Sequence, residues 1–143
     1  MRFSTVYGEG QRRRAANALY IIDTWERLMR GERPQLFGDG SESKHFVYAG
    51  DVARAIALAI ERDASDQAMN ITGGRSITTK ELVAMITKIV GSDLAPEYIE
   101  DDGRVRLKTG KGLHYINTKA RELIGWQPEM TIEDGLRRLI GSL

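Results

Sequence analysis

Apolar residues in this chain fall in short bursts at helical spacing, several of them shut off by a glycine, with β-prone runs between the bursts. That alternation demands a layered α/β fold, because an amphipathic helix must lay its apolar stripe on something and a short strand must find a partner for its amides. From about Ala15 to Arg30, the residues Ala18, Ile21, Ile22, Trp25, Leu28 and Met29 keep the helical period until Gly31 and Pro34 end it. Asp51 precedes Val52, Ala55, Ile56, Ala59 and Ile60, which predicts a helix capped by Asp51 and running to Arg62. Thr78-x-x-Glu81 offers a capping box for Leu82, Val83, Ile86, Ile89 and Val90, and Gly91 stands where a left-handed C-cap belongs. Asn117 or Thr118 opens a short helix through Ile124 that Gly125 stops, with Pro128 beyond. Thr131-x-x-Asp134 starts a last helix carrying Ile132, Leu136, Leu139 and Ile140.

The strands are shorter. Met1 to Tyr7 is β-prone and ends at Gly8-Glu9-Gly10. Gln35-Leu36-Phe37 enters the turn cluster Gly38-Asp39-Gly40-Ser41, and His45-Phe46-Val47-Tyr48 follows, so the pair predicts a hairpin-like unit. Gln67 to Thr72 reads as a strand closed by Gly73-Gly74, and the polar stretch from Ser92 to His114 holds two further candidates, around Glu97 to Glu100 and Val105 to Leu107. No internal repeat, low-complexity tract or Pro/Ser-rich linker interrupts the pattern, so a single domain over residues 1–143 is expected, with about five helices among short strands.

Composition narrows the function. With 41% hydrophobic and 29% charged residues the chain suits a globular domain, and at 143 residues it can bury roughly two-thirds of its unfolded surface. Twenty-one basic residues against twenty acidic leave a net charge of +1, so no global field draws it to nucleic acid or an anionic membrane. With no cysteine there is no disulfide framework, thiolate metal site or cysteine nucleophile, and two histidines make a histidine-rich metal site a poor expectation. The longest apolar run, Ala55 to Ile60, is far short of the roughly 20 residues a bilayer requires, and Met1 is not followed by a signal-peptide core. A soluble, cytoplasmic protein is the expectation.

Four segments in order resemble the carboxy-terminal half of the extended short-chain dehydrogenase/reductase family, the NAD-dependent nucleotide-sugar epimerases and dehydratases. Arg2-Phe3-Ser4-Thr5-Val6-Tyr7-Gly8-Glu9-Gly10-Gln11 is similar to the family's R-[YF]-x-N-V-Y-G-P-G-Q. Phe37 to Tyr48 is similar to F-G-D-G-S-Q-x-R-D-F-V-Y, Asp51-Val52-Ala53-Arg54-Ala55 follows, and Lys119 to Pro128 is similar to K-A-x-x-x-L-G-W-x-P. The resemblance covers nearly the whole chain. It implies a small mixed α/β substrate-binding domain that grips the nucleoside diphosphate of a nucleotide-sugar, while an absent Rossmann domain holds NAD or NADP and the catalytic Tyr-x-x-x-Lys. No catalytic residue, metal ligand or cofactor-binding residue of this chain is then expected, and activity requires the missing half.

Residue by residue, the resemblance places Thr5 where the family often has an asparagine near the substrate phosphate or sugar. It places Leu36, Phe37 and Gly38 beside the nucleotide base, Lys44 at a phosphate-binding arginine position, and Arg106 or Arg104 at a second one. Three positions depart from the pattern. Thr5 offers a shorter group than asparagine, Lys44 a point charge instead of a planar fork, and His45 replaces an aspartate. These departures support a rival reading, a non-catalytic nucleotide- or protein-binding module derived from the same domain. The uncovered face that remains without the Rossmann half implies self-association.

Other features read as bland. Gly8 and Gly10 have Arg13 where a third glycine of a dinucleotide turn would fall, and Gly38 and Gly40 lead into a strand. Tyr115-x-x-x-Lys119 matches the catalytic spacing, but Asn117 as a helix cap leaves Tyr115 outside the helix. Arg12-Arg13-Arg14 is a dense basic patch without interleaved aromatics, so it reads as solvated and no nucleic-acid partner is expected. Glu100-Asp101-Asp102 lacks the spacing and glycine of a calcium loop.

Overall fold

The computed structural model describes residues 1–11, 19–100 and 115–143. Its elements in chain order are β1 (Arg2–Phe3), β2 (Thr5–Tyr7), α1 (Leu19–Met29), β3 (Gln35–Phe37), β4 (Ser43–Tyr48), α2 (Ala49–Glu61), β5 (Asn70–Ile71), β6 (Ser76–Thr78), α3 (Thr79–Val90), β7 (Glu97–Ile99), α4 (Thr118–Ile124) and α5 (Ile132–Gly141). This is a small α/β fold with five helices and short strands among the described residues. No described helix is long and apolar enough to cross a membrane.

The chain separates into two compact units: Met1–Gln11, His45–Ser76 and His114–Leu143 form one, and Arg12–Lys44 with Ile77–Leu113 the other. In the first unit β1 runs parallel to β5, with Arg2 opposite Asn70 and Phe3 opposite Ile71. β2 runs parallel to β4, with Thr5, Val6 and Tyr7 opposite Phe46, Val47 and Tyr48. The β-prone run at the amino terminus is thus two strands in separate sheets, and it changes partner at Ser4. Val47, Val52, Ala55, Met69, Ile71, Ala120, Ile124 and Trp126 form this unit's core cluster. Thr131 caps α5 by accepting the Asp134 amide at 3.1 Å, as its spacing predicts.

In the second unit β3 runs parallel to β7, with Gln35, Leu36 and Phe37 opposite Glu97, Tyr98 and Ile99. α1 packs on α3, burying Ile21, Ile22 and Leu28 of the first helix and Leu82, Val83 and Ile86 of the second. Met29, expected on the apolar stripe, is 61% exposed. The capping box of α3 is complete, Thr78 taking the Glu81 amide at 3.1 Å and Glu81 taking the Thr78 amide at 2.8 Å. Gly91 closes the helix at φ +74°, a left-handed conformation that costs a residue with a Cβ more than it costs glycine.

Two sequence-based expectations fail. The hairpin does not form: β3 and β4 lie in different sheets, and each takes a parallel partner. His45, Phe46 and Val47 are buried in succession, the pattern of a parallel strand covered on both faces rather than of a half-exposed hairpin strand. The intervening turn spends its carbonyls on α3, where Gly40 O takes the Lys80 amide at 3.0 Å and Glu42 O takes the Thr79 amide at 2.8 Å. Nor does Asp51 cap α2. The helix begins two residues earlier, behind Tyr48, and Asp51 lies inside its first turn. The candidate strand at Val105 to Leu107, the first part of the helix expected from Ala15, and Asp101 and Asp102 lie outside the described residues.

Candidate functional site

The segment matched to the nucleotide-flanking part of the family is built on β3. Leu36 is fully buried, so its side chain serves the core and only its main chain can face a ligand. Phe37 is half-buried and meets the Tyr20 ring edge-on, centroids 6.3 Å apart. Tyr20 Oη donates to Gln35 O at 2.8 Å and accepts the Phe37 amide at 3.4 Å, so one phenol holds both ends of the strand. Gly38 donates to Ile99 O at 3.0 Å and turns the chain at φ +60°. Beyond it Asp39 Oδ1 accepts from the Ser41 amide at 2.9 Å and its hydroxyl at 2.6 Å, an Asx turn that sets the loop before β4. Tyr98, in register with Leu36 and 55% exposed, adds an aromatic ring beside this segment that the sequence reading missed. Its signal was the alternation in Glu97-Tyr98-Ile99.

Lys44 is the second residue of β4. Its ammonium lies 3.7 Å from Glu42 Oε1, and its side chain is 38% exposed. A phosphate at this position competes with a carboxylate for a cation that keeps much of its hydration, so its attraction is weaker than that of a buried fork. Arg104 and Arg106, the candidates for a second phosphate contact, and Arg12 to Arg14 lie outside the described residues.

In the other unit, Thr5 is partly buried in β2 opposite Phe46. His45 is 5% exposed, and its ring meets Tyr115 edge-on at 5.3 Å. Tyr115 precedes α4 and Lys119 lies within it, so the two do not share a helical face. Asn117, read as the cap, makes no side-chain cap bond. Its amide clasps Thr72 instead, Oδ1 accepting the backbone amide at 3.1 Å and Nδ2 donating to the carbonyl at 2.8 Å.

Neither glycine pair fits the pyrophosphate of a dinucleotide. At Gly8 the space a Cβ would take already meets Ala49 Cβ at 3.0 Å and the Tyr48 ring at 3.4 Å. Gly40 is packed against Leu36 and Lys80, both 3.3 Å from its Cβ position, and the next element is a strand. The first amides of α3 are also spent: Thr79 on Glu42 O, Lys80 on Gly40 O and Glu81 on Thr78 Oγ1. Among the described residues, these two turns and this helix end therefore offer no free amides for a dinucleotide pyrophosphate.

The two remaining matched segments meet in a latch. Asp51, 5% exposed, accepts the Glu129 amide at 3.2 Å and the Met130 amide at 3.0 Å. Its backbone carbonyl accepts the Trp126 indole N–H at 2.9 Å. Arg54 Nη2 reaches Asp51 Oδ1 at 3.2 Å and Gln127 O, Nη1 reaches Glu129 Oε1 at 3.2 Å, and the guanidinium carbon lies 5.9 Å from the Trp126 ring centroid. The Asp-x-x-Arg and Gly-Trp-x-Pro patterns are therefore tied to each other, which gives them a structural role.

A model of the family described as GDP-mannose 4,6 dehydratase matches residues 2–139. The UDP-glucose 4-epimerase of Mycolicibacterium smegmatis is 30% identical over 141 residues, 96% of this chain and 42% of that protein. The UDP-glucuronate 4-epimerase of Thermodesulfobacterium geofontis is 28% identical over 142 residues, 98% of this chain and 41% of that protein. Among solved structures, the UDP-glucose 4-epimerase of Thermotoga maritima with UDP-glucose is 32% identical at a TM-score of 0.78, covering 99% of this chain and 44% of that one. The chain thus spans less than half the length of these relatives.

Proposed function

Because the chain belongs to the GDP-mannose 4,6 dehydratase family, within the extended short-chain dehydrogenases/reductases, we propose that it is the nucleotide-sugar-binding portion of an NAD-dependent epimerase or dehydratase. One observation carries the reading: 32% identity over 99% of the chain with an epimerase described with UDP-glucose. The main chain of Leu36 to Gly38 and the Phe37 ring flank the base. Lys44, with Arg104 or Arg106, neutralises the diphosphate. Thr5, on the other unit, is assigned a hydroxyl contact to a phosphate or sugar oxygen. The chain alone does not transfer hydride. Its contribution is orientation, which counts because a sugar held in one pose reacts without first losing its rotational freedom. Cytoplasmic residence and self-association belong to the same reading.

Calorimetric titration of the 143-residue chain with UDP-glucose, dTDP-glucose and GDP-mannose tests it. The expected outcome is submillimolar binding, about tenfold weaker in Lys44→Ala, as befits one partly solvated charge-assisted contact. Thr5→Val tests the hydroxyl separately. Flat heats with all three ligands overturn the reading. They favour the rival non-catalytic protein-binding module, which the Lys44–Glu42 ion pair supports because it occupies the one described cation of the site.

A further inference from the structure

β3 uses its two edges differently. Toward β7, Pro34 O accepts the Glu97 amide at 2.9 Å and the Gly38 amide donates to Ile99 O at 3.0 Å. Backbone groups alternate in direction along a strand, so Gln35 O and the Phe37 amide point to the opposite edge. In a parallel ladder, one residue of the next strand joins such a pair, its N–H donating to the carbonyl and its C=O accepting from the amide two positions on. Among the described residues β3 has no strand but β7 beside it. Tyr20 Oη makes the join with a single atom, donating to Gln35 O at 2.8 Å and accepting the Phe37 amide at 3.4 Å.

The same pair suits the edge of a nucleobase. Uracil, thymine and guanine each carry a ring N–H beside an exocyclic C=O, a donor next to an acceptor, and such an edge can hydrogen-bond a strand as a neighbouring strand does. The Tyr20 ring also lies against the Phe37 ring, centroids 6.3 Å apart and planes at 72°. One phenol thus makes the main-chain and ring contacts that the nucleotide-sugar reading assigns to the base.

We propose that Tyr20 is an internal substitute for the base: its phenol occupies the outer edge of β3, and a nucleotide-sugar binds there by displacing it. The inference rests on the nucleotide-sugar reading of Leu36 to Gly38. Tyr20 is well placed to leave. It is the second residue of α1 and half-buried, while the side chains this helix buries are Ile21, Ile22 and Leu28. Rotation about its χ1 takes the phenol off the strand without moving the helix. The incoming base restores the hydrogen bonds of Gln35 O and the Phe37 amide, so the net cost of binding is the loss of the phenol's own contacts. Tyr20 therefore sets the affinity by lowering it. A tyrosine that braced β3 for the base has the opposite effect, because its removal loosens the strand.

Calorimetric titration of the wild type and Tyr20→Phe with UDP-glucose separates the two roles. Tyr20→Phe keeps the ring and removes the hydroxyl, and binding about fivefold tighter is expected, the worth of one net hydrogen bond. Inorganic pyrophosphate, which has no base, shows no difference between the two chains. In the wild type, UDP-glucose also perturbs the near-ultraviolet tyrosine spectrum as the phenol passes into water, and Tyr20→Phe lacks that signal. UDP-glucose binding by Tyr20→Phe that is equal to or weaker than that of the wild type overturns the proposal and leaves the nucleotide-sugar reading standing. If Tyr20→Phe does not fold, a wild-type tyrosine spectrum unchanged at saturating UDP-glucose overturns it alone. Flat heats from both chains overturn the nucleotide-sugar reading and this inference with it.

Discussion

Gly135 of α5 stands against the phenol of Tyr7. A Cβ built on Gly135 meets the Tyr7 hydroxyl oxygen and lies 2.8 and 2.9 Å from two of its ring carbons, while the same hydroxyl donates to Thr131 O at 3.4 Å. Tyr7 is 3% exposed and touches Phe46 and Tyr48 edge-on, so its ring has nowhere to retreat. A glycine inside a helix ordinarily weakens it, and here it admits the aromatic residue that seats α5 on β2.

Gly135→Ala is accordingly expected to destabilise the fold by about 1–3 kcal/mol despite the better helix propensity of alanine. Gly74→Ala, whose Cβ meets nothing, stays within ~0.5 kcal/mol. Urea denaturation midpoints compare the two, and combining Gly135→Ala with Tyr7→Ala shows coupling of opposite sign to the single losses.

Burial, reinforced by the negative charge of Asp51 and then by Tyr48, Glu133 and Asp134, pushes the Tyr7 pKa well above its usual 10.0. The folded value exceeds the unfolded one, so the contribution to stability is complete below about pH 10 and is lost as the pH climbs toward the folded value. Absorbance at 295 nm should therefore show one of the five tyrosines ionising only as the protein unfolds. Tyr7→Phe should abolish that late step and raise the pH of alkaline unfolding.

Asp51→Ala removes the acceptor of two amides and takes from Arg54 one of the two carboxylates it meets at 3.2 Å, which should cost about 3 kcal/mol. Trp126→Phe keeps most of the ring but deprives the Asp51 carbonyl of its donor, at about 1–2 kcal/mol. Because both belong to one latch, thermal melts of the double variant should show less than the sum.

Asn117→Asp substitutes an oxygen for the nitrogen that donates to Thr72 O. Two oxygens then face each other, and a loss of about 1–2 kcal/mol is expected. Asn117→Ala, which leaves both the amide and the carbonyl of the buried Thr72 without their partner, should cost at least as much in the same melt.

The elements were legible wherever the information is local. The capping box at Thr78 and Glu81, the left-handed stops at Gly91 and Gly125, and the cap at Thr131 are read from residues within one helical turn of each other. For the candidate site the sequence supplied candidates and the structure supplied their surroundings. The resemblance picked out Leu36 to Gly38 and Lys44, but burial of the Leu36 side chain and the pairing of Lys44 with Glu42 depend on neighbours that only packing supplies.

The division has a physical basis. Periodicity, capping groups and glycines determined where helices begin and end, because those preferences act through the backbone of a few adjacent residues. Partners were decided by the tertiary structure alone: β3 chose β7, β4 chose β2, and Asp51 gave its carboxylate to amides 78 and 79 residues away. Parallel pairing joins segments distant along the chain, and nothing within a single strand records which edge will be beside it once the core closes.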